Sequence, residues 1–275
     1  MLRSLTSGVS ALQQFQEEMD VIGNNIANVN TTGFKSARVD FADSLSQSLG
    51  TTGSGSSIQI GVGVATDTIT NQFTQGAIST TGSSNDVAIS GNGFFQVKDT
   101  ATGTIYATRA GDFQVDNSGY LVTSSGMRVQ GYSDAAQTTL GDIQIDATGA
   151  PSTATSTSVK SFTIGTDGTI SVTLGDGTSF TRGQILLQNY TSPQALTKEG
   201  DNLYSNLTGA GPLAASTAPG TNGTGTLVAD SLESSNVDLS NEFSNMITAQ
   251  RAFEASSKVI TTSDEMLQTL VNLKR

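Results

Sequence analysis

A chain of 275 residues with no cysteine and no histidine cannot build disulfides, thiol nucleophiles or Cys/His zinc sites, and it lacks the commonest general base. Its 24 acidic and 13 basic side chains give a net charge of −11, which argues against sequence-independent nucleic-acid binding because that needs a basic footprint. Charged residues make up only 13% of the chain, well below the roughly 25% of an ordinary soluble protein, so Ser, Thr, Asn, Gln and Gly must carry a surface that is comparatively cheap to desolvate against another copy.

Arg3 is followed by polar and small residues rather than a continuous apolar run, so no secretory signal is expected at the start. No stretch approaches the ~18 consecutive apolar residues of a membrane span.

The first thirty residues are predicted to form an amphipathic helix. Leu2, Leu5, Val9, Leu12, Phe15, Met19, Ile22, Ile26 and Val29 recur every three or four positions, with Gln13, Gln14, Glu17, Glu18 and Asp20 facing elsewhere. Asn28, Asn30, Thr31, Thr32 and Gly33 should end it, because short polar side chains compete for the backbone and Gly permits a left-handed cap. Residues 35–75 read as a connecting segment with extended strands. Phe34, Val39, Phe41 and Leu45 lead into a Ser/Gly/Thr stretch at 46–57 that looks like a flexible loop, and Ile58, Ile60, Val62 and Val64 then alternate as in a strand.

Residues 76–235 should form an antiparallel β region. Val87, Ile89, Phe94, Phe95 and Val97 surround Gly91-Asn92-Gly93, and Asp116-Asn117-Ser118-Gly119 separates Phe113 and Val115 from Tyr120 and Val122. Asp167-Gly168 and Asp176-Gly177 flank Thr169 to Leu174 as hairpin turns flank a strand. Segments 134–158 and 208–225 look weakly structured, and a small outer insert is expected at about 134–185. From Asp238, a candidate N-cap, a second amphipathic helix carries Leu239, Phe243, Met246, Ile247, Phe253, Val259, Ile260, Met266, Leu267, Leu270, Val271 and Leu273. Lys274 and Arg275 suit its C-terminal end.

The expected fold is thus α+β. Discontinuous terminal helices (1–34 with 236–275) pair as a coiled-coil-like domain, and the middle is mainly antiparallel β. Two long amphipathic helices at chain ends, which are ordinarily the frayed parts of a domain, point to assembly. One pair has more apolar edge than it can cover alone. The residues expected to carry contacts between subunits are Leu5, Val9, Leu12, Phe15, Met19, Ile22, Asn24, Asn25, Ile26 and Asn28 at one end. At the other they are Phe243, Met246, Phe253, Ile260, Leu267 and Leu270. For the asparagines, helix termination is an equally good reading. The helical ends are expected to order only in the polymer, and Leu12→Asp or Leu267→Asp should block assembly where Thr153→Asp does not.

No catalytic, cofactor or metal site is expected. Gly91-Asn92-Gly93 runs into strand residues rather than a helix, so the dinucleotide-binding context fails. The Asp-Gly pairs lack the closely spaced oxygen ligands of a calcium loop. A monomeric surface adhesin or carbohydrate-binding β protein is the competing class.

Three separated motifs carry a family resemblance. Residues 19–35, with Ile22-Gly23-Asn24-Asn25-Ile26 and Thr31-Thr32-Gly33-Phe34-Lys35, resemble the N-terminal signature of the bacterial flagellar rod and hook axial proteins. Ser235-Asn236-Val237-Asp238-Leu239, Ala249-Gln250-Arg251, Thr261-Thr262 and Met266-Leu267 resemble the C-terminal signature. Asp86 to Val97, followed by Arg109-Ala110-Gly111-Asp112-Phe113, is the middle match. Residues 22–26 and 271–275 lean toward the hook branch, and the short middle suits the distal rod, so a hook subunit is the first reading and a rod subunit the second. The resemblance implies a non-enzymatic, self-assembling tube in the flagellum, with terminal helices as its inner wall and β domains outside. It further implies export without signal cleavage, a torque-transmitting role, and contacts with rod, hook-cap and hook–filament junction proteins and the export apparatus.

Overall fold

The computed structural model describes residues 2–51, 57–152, 154–212 and 215–273. Thr153, Lys274 and Arg275, on which expectations were placed above, lie outside them, as does part of the 46–57 stretch. The chain forms two compact units.

Unit 1 comprises residues 1–29, 36–72 and 237–275. It contains α1 (Leu2–Ala27), the strands β1 (Ala37–Asp43), β2 (Ser46–Thr51), β3 (Ser57–Gly61) and β4 (Val64–Asn71), and the 35-residue α2 (Leu239–Leu273). Asp238 caps α2 as its position predicts: its Oδ1 accepts from Ser240 N at 2.9 Å, satisfying a donor that the helix leaves unpaired. The Asn28 amide donates to Asn24 O at 2.9 Å, taking up a carbonyl at the end of α1.

The Ser/Gly/Thr stretch corrects the loop expectation. Residues 46–51 and 57–61 are strands paired antiparallel, with Gln47 opposite Ile60. β1 and β4 pair likewise, so the two pairs make one ribbon. Backbone pairing holds it, and the polar composition of 46–51 hid the first of the two strands, whereas the alternation from Ile58 onward is strand-like as expected. β1 and β4 lie against α1, where Phe15 and Phe41 meet edge-on with ring centroids 6.3 Å apart.

Unit 2 comprises residues 30–35 and 73–236. Its strands are β5 (Ile78–Thr80), β6 (Val87–Ser90), β7 (Phe94–Lys98), β8 (Ile105–Thr108), β9 (Gln114–Val115), β10 (Leu121–Val122), β11 (Arg128–Tyr132) and β12 (Leu140–Asp142). There follow β13 (Val159–Ile164), β14 (Thr169–Leu174), β15 (Ser179–Ile185), β16 (Leu187–Gln188), β17 (Thr197–Gly200), β18 (Leu203–Ser205), β19 (Thr226–Ala229) and β20 (Ser231–Glu233). Every strand pairing is antiparallel. The main sheet runs β13-β14-β15-β11-β7-β8-β18-β17, while β6 pairs with β19 and β5 with β20. The turns Asp116–Gly119, Asp167-Gly168 and Asp176-Gly177 sit where expected, each with its glycine at φ between 83° and 86°. Gly91-Asn92-Gly93 is a crossing rather than a hairpin, because β6 and β7 do not pair.

The strands of 134–185 join the main sheet. Ile164, Ile170, Val172, Leu174 and Ile185 share one apolar cluster with Val87, Ile89, Phe95, Val97 and Phe113. Phe94, Tyr190, Tyr204 and Leu196 form a second, smaller cluster.

A buried ion cluster ties distant parts of unit 2. Glu233 Oε1 accepts from Lys35 Nζ at 2.6 Å and from Gly76 N at 2.9 Å, and Oε2 accepts from Arg109 Nη1 at 3.3 Å. All three charged side chains are almost fully excluded from water. Burial pushes both cations below their ordinary pKa, and the Glu233 carboxylate opposes that shift. Gly33 lies beside this cluster at φ +68°, where a Cβ would stand 2.7 Å from Ala110 N, so no other residue fits without a backbone shift.

Candidate assembly surface

α1 and α2 pack against each other within unit 1 and run antiparallel, as their contacts show. Ser4 Oγ lies 3.4 Å from Ser263 Oγ, Gly8 faces Ile260, and Asn25 Nδ2 donates to Glu242 Oε1 at 3.2 Å. The row of α2 that faces inward is Glu242, Met246, Ala249, Phe253, Ser256, Ile260, Ser263 and Leu267, each buried or half-buried. Successive members are four and three positions apart in alternation, which keeps one narrow stripe on one side of a helix. Small residues within it, Gly8 on α1 and Ala249, Ser256 and Ser263 on α2, let the backbones approach. A Cβ on Gly8 would already be 3.0 Å from Ile260 Cγ1.

Other apolar side chains of α2 stay in solvent. Phe243 is 50% exposed, Ile247 59%, Leu270 50%, Val271 65% and Leu273 83%. Leu239, Val259 and Met266 are exposed as well. α1 shows less of this, because it is covered by α2 and by the ribbon, and Val9 is its one large apolar residue in that class among the described residues. The exposed apolar residues of α2 do not share one face: Phe243 and Leu270 stand 27 positions apart, half a turn out of phase at about 3.6 residues per turn, and Leu270 continues the inward four-three row past Leu267. Large apolar groups left exposed along a helix are what an interaction surface looks like.

The structure therefore sorts the expected contact residues into two sets. Val9, Phe243 and Leu270 are exposed. Leu5, Leu12, Phe15, Met19, Ile26, Met246, Phe253, Ile260 and Leu267 are half-buried and Ile22 is buried, all within unit 1. Asn24 is exposed and Asn28 half-buried, joined by the helix-ending bond already described. Asn25 is buried and binds the Ala37 backbone and Glu242.

Leu239, Ile247, Val259, Met266, Val271 and Leu273 are exposed too and were not among the expected contacts. The small inward residues were missed too. The four-three spacing would have shown the inward row, had it been read through Ala and Ser as well as large apolar residues. The ribbon adds exposed Leu45, Ile60 and Val62.

The electrostatics of this surface are mild. Burial raises the carboxyl pKa of Glu242, opposed by the Asn25 hydrogen bond and reinforced by Asp238. Burial raises that of Glu18 on α1. Among the described residues no cluster of acidic side chains could hold a metal ion, and no helix is long and apolar enough to cross a membrane.

Comparison with known proteins gives this surface its context. Residues 5–35 match the family described as flagella basal body rod protein, 88–172 the flagellar hook protein FlgE/F/G D1 domain, and 228–273 the flagellar basal body rod FlgEFG protein C-terminal family. The chain is 45% identical over 282 residues to the flagellar basal-body rod protein FlgG of Bacillus subtilis, covering the whole of both chains. It is 39% identical to the FlgG of Buchnera aphidicola subsp. Schizaphis graminum, over 99% of this chain and 100% of that one. The flagellar hook protein FlgE of Treponema pallidum is 50% identical over 140 residues, which is 48% of this chain and 30% of that protein. The hook reading is consistent with the family, but end-to-end similarity lies with the rod proteins, and the preference for hook over rod is corrected accordingly. The chain belongs to the bacterial flagellar rod and hook axial proteins, structural components of the flagellum.

Proposed function

We propose that the chain is a distal rod subunit of the flagellar basal body, a non-enzymatic protein that polymerises with copies of itself through a coiled-coil-like pair formed by α1 and α2. The observation that carries this reading is the set of exposed apolar side chains along α2. The helix already uses one side on α1, yet Phe243, Ile247, Leu270, Val271 and Leu273 remain half or more exposed. Burying such side chains contributes about 1.5–3 kcal/mol each, enough for a handful per subunit to drive association if the matching surface belongs to a neighbour. The alternating four-three spacing of the inward row of α2 supports coiled-coil-like packing of the pair. The acidic excess keeps free subunits apart. Contacts with other rod, hook-cap and junction proteins, and with the export apparatus, rest on the family resemblance.

Electron microscopy and sedimentation velocity of the purified protein, after concentration or salting-out, test this. Straight tubes are expected. Curved tubes would replace the rod reading by the hook reading, which the 50% identity to a hook protein over 140 residues favours. A concentration-independent monomer with saturable glycan binding would instead establish the adhesin class.

A further inference from the structure

The buried cluster of Lys35, Arg109 and Glu233 is not accounted for by assembly, since all three side chains are closed off inside unit 2. Its members lie far apart in the chain: Glu233 is 198 residues from Lys35 and 124 from Arg109. Among the described residues Glu233 is the one carboxylate that forms an ion pair with either cation. Lys35 Nζ has a second acceptor in Thr74 O at 2.8 Å, and Gly76 N donates to the same Glu233 oxygen as Lys35. Three separate segments therefore converge on one carboxylate, and that carboxylate is synthesised after all of them.

We propose that Glu233 is the closing charge of unit 2. The β unit stays open until β20 arrives, because Lys35 and Arg109 cannot be buried before a carboxylate is present to receive them. Lysine can shed its proton on burial, but a guanidinium remains charged under all ordinary conditions. Burying it unpaired is far costlier than leaving it in water. A nascent chain that has already produced β5 to β19 thus holds every strand of the main sheet and still lacks the group that lets its cations enter the interior. The cluster acts as a check that the end of the β region is present, and it penalises closed states of incomplete chains.

Pulse-labelling hydrogen exchange during refolding of the full chain tests this. In the unsubstituted protein, amides of β7, β11 and β14 should gain protection in the same kinetic phase as those of β20. The comparison is the full chain carrying Lys35→Met, Arg109→Met and Glu233→Gln together, in which Gln can still accept from Gly76 N. With no cation to hold outside, its β7, β11 and β14 amides should become protected about tenfold or more ahead of β20. Core strands protected before β20 in the unsubstituted protein would overturn the proposal. So would coincident phases in the neutral variant, since β20 would then act through its backbone pairing alone. Should the neutral variant not refold, the phases of the unsubstituted chain decide by themselves.

Discussion

The side chain of Asn25 pairs with the backbone of Ala37 as one strand residue pairs with another: Oδ1 accepts from Ala37 N at 3.0 Å and Nδ2 donates to Ala37 O at 2.9 Å. The second amide proton goes to Glu242 on α2 at 3.2 Å. One buried residue near the end of α1 thereby sets the first residue of β1 and touches the start of α2. The three partners belong to unit 1, so the role of Asn25 in the single subunit is to fix how the ribbon leaves the helix.

Asn25→Ala should destabilise unit 1 by about 1–2 kcal/mol, because it leaves the Ala37 donor and acceptor without these partners in a half-buried site. Asn25→Asp should cost a similar amount at neutral pH, since a carboxylate cannot donate to Ala37 O and faces Glu242. Acidification should recover part of the loss as either carboxyl protonates. Thermal unfolding followed by far-ultraviolet circular dichroism measures both variants, and an unchanged midpoint would remove Asn25 from this role.

Glu242 yields a pH prediction with a definite sign. Its pKa is raised in the folded state, first by burial. A carboxyl with a raised folded pKa holds its proton more tightly folded than unfolded. Its contribution is therefore fully present below the unfolded value and lost as pH rises through the folded one. Glu242→Gln, which keeps an acceptor for Asn25 Nδ2, should make unit 1 slightly more stable at neutral pH. It should also flatten the stability profile upward from the ordinary carboxylate range. The group is largely solvated, so the effect is small. A steeper profile in the variant would contradict this sign.

Deleting residues 237–275 should abolish assembly while unit 2 keeps a cooperative unfolding transition. Its two apolar clusters draw only on residues 73–227, and its last strand ends at Glu233, inside the retained chain. Calorimetry of the truncated protein measures this, and a broad, non-cooperative trace would mean that α2 belongs to the β core.

What the sequence disclosed and withheld follows the range of the interactions. Asp238 is legible as an N-cap because the capped donors are two and three residues away. The Asp-Gly turns are legible for the same local reason. Of the paired strands at 46–51 and 57–61, the second shows its alternation in Ile58 and Ile60, whereas the first falls in the Ser/Gly/Thr stretch that reads as a loop, because its pairing rests on backbone groups that composition does not display. The Lys35–Glu233 pair spans 198 residues, and no local pattern announces it. On α2, Phe243 and Phe253 look alike in sequence, yet one is exposed and the other half-buried against its own unit. Only the phase of the helix relative to α1, marked by Ala249, Ser256 and Ser263, separates the two faces.

That phase changes which substitutions probe assembly. Leu12 and Leu267 are half-buried within unit 1, so Asp at either position strains the subunit itself and leaves the cause of failed assembly ambiguous. Phe243→Asp and Leu270→Asp act on side chains that are 50% exposed in the single subunit. The new carboxylate stays in water there, and stability should change by less than about 0.5 kcal/mol. In a polymer that covers these side chains, the same carboxylate would be buried without a partner at every subunit added, and each burial costs several kcal/mol or forces protonation. Both variants should therefore remain monomeric and folded where the unsubstituted protein forms tubes. Ala136→Asp, on an exposed turn of unit 2, carries the same added charge away from the helices and should assemble nearly normally, which controls for net charge. Sedimentation velocity with electron microscopy on the three proteins decides. Normal tubes from Phe243→Asp and Leu270→Asp would show that subunits do not meet through these side chains of α2.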